Sequence, residues 1–197
     1  MATLKLKSDT FSEELTFIKD ERIRNNAIII LNLLPDYFYE AAATSSGKYH
    51  PQFAQGQKGL VRHTKVAVRI AKEILDLEFS TNNFNTIEKD LVLMSLLIHD
   101  GLKSGLEHSG HTCFEHPIII ADFILDNKDK LSLEANEIKF LVEALKSHMG
   151  QWNRSEYSNT VLPKPETKSQ RLVHMCDYLA SRKFLNVNFD GNNNIIC

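Results

Sequence analysis

The segment Ile87 to His99, IEKDLVLMSLLIH, reads as a helix that is apolar almost all the way round, and such a helix has to be covered on every side. The rest of the chain must supply that cover. It does so with further helical patterns. Phe11 to Leu34 carries apolar residues at helical spacing, with Ser12 and Glu14 near its start and Pro35 just beyond its end, and is expected to form one long first helix. Leu60 to Leu77 continues the pattern through Val66, Ala67, Ile70, Ala71 and Ile74. His116 is followed by Pro117, a favoured first helical residue, and then by IIIADFIL. Leu133 to His148 and Thr167 to Leu185 complete the set, and STNNFNT reads as a turn. No strict apolar alternation runs longer than a few residues. The expected fold class is all-α, a helical bundle. With 197 residues, 43% of them hydrophobic, one domain over 1–197 is expected. Residues 41–59 form a Thr-, Ser-, Gly- and Gln-rich loop too long for a simple connector, hence expected to serve the site. Residues 186–197, with DGNNN, are expected to be a fraying tail.

A net charge of -2 provides no bulk basic field for sequence-independent binding to long nucleic acid. The three cysteines, Cys113, Cys176 and Cys197, are widely spaced and form no CxxC pair, which excludes a thiolate zinc motif and fits a reducing cytoplasm. The opening residues MATLKLKSDT lack an apolar signal region, and no run approaches the roughly 20 apolar residues that span a bilayer. A cytoplasmic protein with no membrane partner is expected.

The ionisable residues fall on inward positions of these helices. His63 shares a face with Val66, Ala67, Ile70 and Ile74. His99 and Asp100 end the apolar helix in LLIHDGLKSG; His148 follows Leu141, Ala144 and Leu145; Asp177 follows Val173 and precedes Ala180 and Phe184 on the same side. Unpaired burial of so many polar groups costs several kcal/mol, so a shared cation is the economical reading. Imidazoles and carboxylates without thiolate select iron, manganese, cobalt, nickel or zinc over calcium.

A two-residue His-Asp motif is weak alone, but its conjunction with the rest is specific. A histidine on an early helix (GLVRHTKVAVRIA), the doublet with a lysine after it (HDGLK) and a late helical aspartate (HMCDYLASR) occur in the order of the HD-domain metal-dependent phosphohydrolases, which this chain resembles from Phe38 to about Arg182. FEHPIIIADFI and EALKSHMGQW match the positions that supply a second metal in the binuclear branch. Upstream, FYEAAATSSGKYHPQFAQGQKGLVRHT is similar to the approach to the first metal histidine in the HD domain of YhaM-type 3′-5′ exoribonucleases, and LPKPETKSQRLVHMCD extends the likeness. The chain is expected to lack room for the N-terminal OB-fold of those enzymes, and SHMG has one histidine where they tend to have two.

The resemblance implies two divalent transition-metal ions, the first held by His63, His99, Asp100 and Asp177, the second by His116 and His148 with Asp100 bridging. It implies an HD-family phosphohydrolase acting on a nucleotide or short nucleic-acid substrate, with a bridging hydroxide as nucleophile. The alternatives are a 3′-5′ exonuclease on single-stranded RNA or DNA, and a binding module without turnover. Asp100 and Lys103 are the expected catalytic residues, Lys103 contacting substrate phosphate. Lys48, His50 and Trp152 are candidate substrate contacts, the last by base stacking. His174 is a candidate partner of a ligand. Arg62, Arg171, Arg182 and Lys183 are weaker phosphate candidates, while His108 and His111 are expected to face solvent.

Overall fold

Asp90, near the start of the apolar helix, explains how the N-terminal third folds. Its buried carboxylate accepts the backbone N–H of Lys19 at 3.0 Å and of Asp20 at 2.7 Å. Asp20 itself caps the following helix by accepting from the Ile23 N–H at 3.0 Å. The segment 11–34 is therefore broken in two, not the single helix expected, and the Asp-Glu pair at 20–21 was the available signal. This computed structural model describes residues 6–44, 50–185 and 187–196. Its α-helices are α1 (Ser12–Leu15), α2 (Glu21–Leu33), α3 (Tyr37–Glu40), α4 (Gly59–Asp76), α5 (Glu78–Asn83), α6 (Thr86–Ile98), α7 (His116–Asp126), α8 (Ala135–Ser147) and α9 (Lys168–Ala180). Short 3-10 turns occur at Lys7–Phe11, Gln52–Ala54 and Lys128–Lys130. The described residues contain no strand beyond two isolated bridges, so the fold is an all-helical bundle, consistent with the HD type.

Helix α6 is the axis. Every residue from Asp90 to Ile98 is buried, and α2, α4, α8 and α9 pack around it. α7 lies against α8 on the outside of this ring. The C-terminus of α6 thus opens in the middle of the molecule. Gly101 lets the chain turn there, because a Cβ at this position would sit 2.7 Å from both Leu34 methyls.

Three boundaries differ from expectation. Residues 80–83, expected as a turn, belong to α5, which Ser80 anchors by donating from its hydroxyl to the Ile74 carbonyl at 2.5 Å. Helix α9 stops at Ala180, where the Ser181 hydroxyl and the Arg182 Nε–H both donate to the Tyr178 carbonyl, and Phe184 is 78% exposed instead of inward. The described tail residues make side-chain contacts with the bundle. Arg62 donates to Asn193 Oδ1 at 2.9 Å, Lys65 to Asn194 Oδ1 at 3.2 Å, and Phe189 packs against Phe53. None of the described helices is long and apolar enough to cross a membrane.

Candidate metal centre

Helix ends build the site. His99 caps the C-terminus of α6 and His148 that of α8, where the last carbonyls of a helix have no intrahelical partner. Each ring uses one of them: His99 Nδ1 donates to the Leu96 carbonyl and His148 Nδ1 to the Leu145 carbonyl, both at 2.7 Å. His116, the first residue of α7, donates from Nδ1 to the Cys113 carbonyl at 2.7 Å. A carbonyl only accepts, so the proton of each neutral ring is fixed on Nδ1 and a lone pair is left on Nε2. His99 Nε2 turns toward Asp100 Oδ2 and Asp177 Oδ1, and the other two Nε2 atoms turn toward Asp100 Oδ1.

His63, on α4, and Asp177, on α9, close the ring around Asp100. His63 Nε2 lies 3.1 Å from Asp177 Oδ1 and 3.7 Å from Asp100 Oδ2. His99 Nε2 lies 3.4 Å from Asp100 Oδ2 and 3.5 Å from Asp177 Oδ1, yet makes no hydrogen bond with either. The other oxygen of Asp100 faces the opposite way, 3.2 Å from His116 Nε2 and 3.9 Å from His148 Nε2. Two triads result: His63, His99 and Asp177; and Asp100, His116 and His148, each with its ligand atoms within 4.8 Å of one another. The carboxylate of Asp100 stands between them.

The electrostatics are those of charged groups forced together. Burial would raise both carboxyls, but Lys103, His99 and His116 hold Asp100, and His63 and His99 hold Asp177, well below the usual range. Burial works against a charged His99, yet Asp100 and Asp177 outweigh it and hold the ring up to about 10. Burial, with His116 and His99 nearby, lowers His148 to about 3. The residues fit bound metal ions. Four imidazoles and two carboxylates suit a borderline cation, His99 Nε2 is a fully buried atom without a hydrogen-bond partner among the described residues, and the Nε2 atoms of His116 and His148 face each other at 3.0 Å. Two neutral rings with both Nδ1 protons committed would oppose lone pairs there; a cation removes that repulsion.

Lys103 is half-buried, and its Nζ lies 2.6 Å from Asp100 Oδ2. A cavity of about 500 Å³ opens over these residues, lined also by His50, Trp152, Tyr178 and Arg182. The His50 ring lies 5.3 Å from that of His63, and its Nδ1 is buried without a hydrogen-bond partner among the described residues. Lys48 lies outside the described residues. His174 donates from Nδ1 to the His148 carbonyl at 2.7 Å, so it braces the backbone of that residue and not its ring. Arg62 is spent on the Phe53, Gln55 and Gln57 carbonyls and on Asn193, which removes it from the phosphate candidates. Arg171, Lys183, His108 and His111 are exposed. Tyr178 was missed in the sequence; its place one residue after Asp177 on α9 was the available signal.

No protein-family model and no solved structure matches the chain. Among curated proteins, it is 24% identical to the 3′-5′ exoribonuclease YhaM of Listeria welshimeri over 193 aligned residues, covering 91% of this chain and 56% of the relative. The Listeria monocytogenes protein of the same name is 23% identical over the same share. The chain thus spans about half the length of the curated relatives it matches. Over most of its length, it is a distant homologue of the exoribonucleases named YhaM.

Proposed function

We propose that the chain is a metal-dependent phosphohydrolase that cleaves phosphoester bonds of nucleotides or short oligonucleotides. The observation that carries this reading is Asp100, one of whose oxygens faces His116 and His148 while the other faces His63 and His99 of the triad with Asp177. His63, His99 and Asp177, and Asp100, His116 and His148, would hold divalent ions, which when bound would supply an activated water and neutralise charge on the phosphoester oxygens. The chain's own part is positioning. The carbonyls of Leu96, Cys113 and Leu145 hold three imidazoles in one tautomer and one orientation. Lys103, drawn to the rim of the site by Asp100, offers its remaining N–H donors to a non-bridging phosphate oxygen. The cavity, at about 500 Å³, falls within the roughly 300 to 1,000 Å³ typical of small-ligand sites and suits a nucleotide-sized group.

The second reading, a 3′-5′ exonuclease on single-stranded RNA or DNA, is favoured by the name of the relatives. A panel of mononucleotides, dinucleotides and oligonucleotides with Mn²⁺ or Co²⁺ separates them. Release of nucleotides from oligonucleotides alone would select the exonuclease; metal-dependent turnover of the smaller substrates selects the broader phosphohydrolase. No turnover of any member would overturn both.

A further inference from the structure

Beyond α8 the chain turns through Gly150 at φ +58, a conformation that side chains rarely adopt, and a Cβ there would overlap the His174 ring. The turn delivers Trp152, whose N–H donates to the Met149 carbonyl at 3.2 Å. Its indole stacks on Tyr178 with centroids 5.2 Å apart and an interplanar angle of 21°, and lies tilted by 59° to the His174 ring with centroids 6.0 Å apart. The Arg182 guanidinium lies 4.1 Å over the Tyr178 ring and pairs with no carboxylate of the described residues. A tryptophan that only capped the core would be buried, but Trp152 is 43% exposed. Trp152, Tyr178 and Arg182 line the cavity that holds Asp100 and Lys103.

We propose that Trp152, Tyr178 and Arg182 form a platform for an unpaired nucleobase, which stacks on the exposed part of Trp152 while the adjoining phosphate lies at Lys103 and the metal centre. This rests on the phosphohydrolase reading and narrows its substrate: a nucleotide or single-stranded end whose base is free, not a small phosphoester without a base. Aromatic surfaces accept any base, since every base has a π-face, and the Arg182 cation adds attraction. A duplex end would keep its base paired and out of reach.

Trp152 is the chain's one tryptophan, so fluorescence excited beyond the tyrosine absorption band reports on the platform. A short single-stranded oligonucleotide with phosphorothioate linkages, titrated into the metal-reconstituted full chain, should quench that fluorescence to saturation. The same strand with an abasic terminal residue should bind about tenfold or more weakly. In turnover, wild type should prefer the base-bearing end by a similar factor in kcat/KM. Trp152→Ala should erase the preference with its metal content intact, and Trp152→Phe should restore part of it. Equal quenching by both strands, or a preference that survives Trp152→Ala, would overturn the platform. Should wild type hydrolyse no phosphoester at all, the phosphohydrolase reading fails, while the quenching still decides whether a base docks at Trp152.

Discussion

His63 and Lys65 lie two residues apart on α4 and lead into two buried polar clusters of opposite character. Lys65 is fully buried, donates to Glu14 Oε2 at 3.1 Å and to Asn194 Oδ1 at 3.2 Å, and sits over the Phe11 ring. Burial raises Glu14, and Lys65 opposes that rise. One cation meets one anion, and the tail closes the remaining contact. Around His63 the polar atoms do not close on one another: His99 Nε2 and His63 Nδ1 have no hydrogen-bond partner among the described residues, and the His116 and His148 rings present nitrogen to nitrogen. Burial of charge is therefore not what marks a functional site here. Incomplete satisfaction is what sets the second cluster apart, and it suits a further cation.

The sharpest break in the comparison comes from removing the group at the centre of each cluster. Asp100→Ala should abolish metal retention and reduce hydrolysis below detection, since one triad loses its carboxylate and the other loses the carboxylate oxygen beside its two histidines; elemental analysis and a turnover assay read the two effects. Lys65→Met should instead destabilise the fold by about 3–5 kcal/mol, by leaving Glu14 buried without its partner, and leave the metal content as in wild type. Denaturant unfolding and elemental analysis check it. If Lys65→Met lost the metals, the two clusters would not be separable.

Lys103→Ala is expected to keep the metals and lower kcat about a hundredfold, the scale of losing one donor to developing charge. Unchanged turnover would remove Lys103 from the catalytic group.

The smallest expected effect is on pH. In the metal-free protein, burial, with charged neighbours, lowers His50 and His148 from 6.5 to about 3. Between those values the unfolded chain binds protons that the folded chain refuses, so stability falls as pH drops below about 6.5. His99, held up to about 10, acts in the other direction: its contribution is complete below 6.5 and is lost as pH rises toward 10. Denaturant titrations should thus show a stability maximum near neutral pH, and metal loading, which requires deprotonated rings, should flatten the alkaline limb. A metal-free profile flat from acid to alkaline pH would contradict the clustering.

The helices that bury apolar stripes were legible in the sequence because their period is a local property: α4, α6, α7 and α8 lie within two residues of their expected bounds. The break at Asp20 was not, because a partner 70 residues away, Asp90, holds it. The same holds for the tail, whose polar Asn193 and Asn194 read as solvated until Arg62 and Lys65 are seen to claim them. Within the site, the inward faces of His63 and Asp177 followed from helical spacing. The opposite orientation of the two Asp100 oxygens, the carbonyl partners of the imidazoles and the Trp152 stack on Tyr178 depend on how separate helices meet, which no spacing encodes.

Metal stoichiometry tests the central claim most directly. The chain, stripped with chelator, reconstituted with Mn²⁺ or Co²⁺ and freed of excess ion, should retain two equivalents per molecule, displaced together by Asp100→Ala. Retention of none by the wild-type chain, still folded, would contradict it.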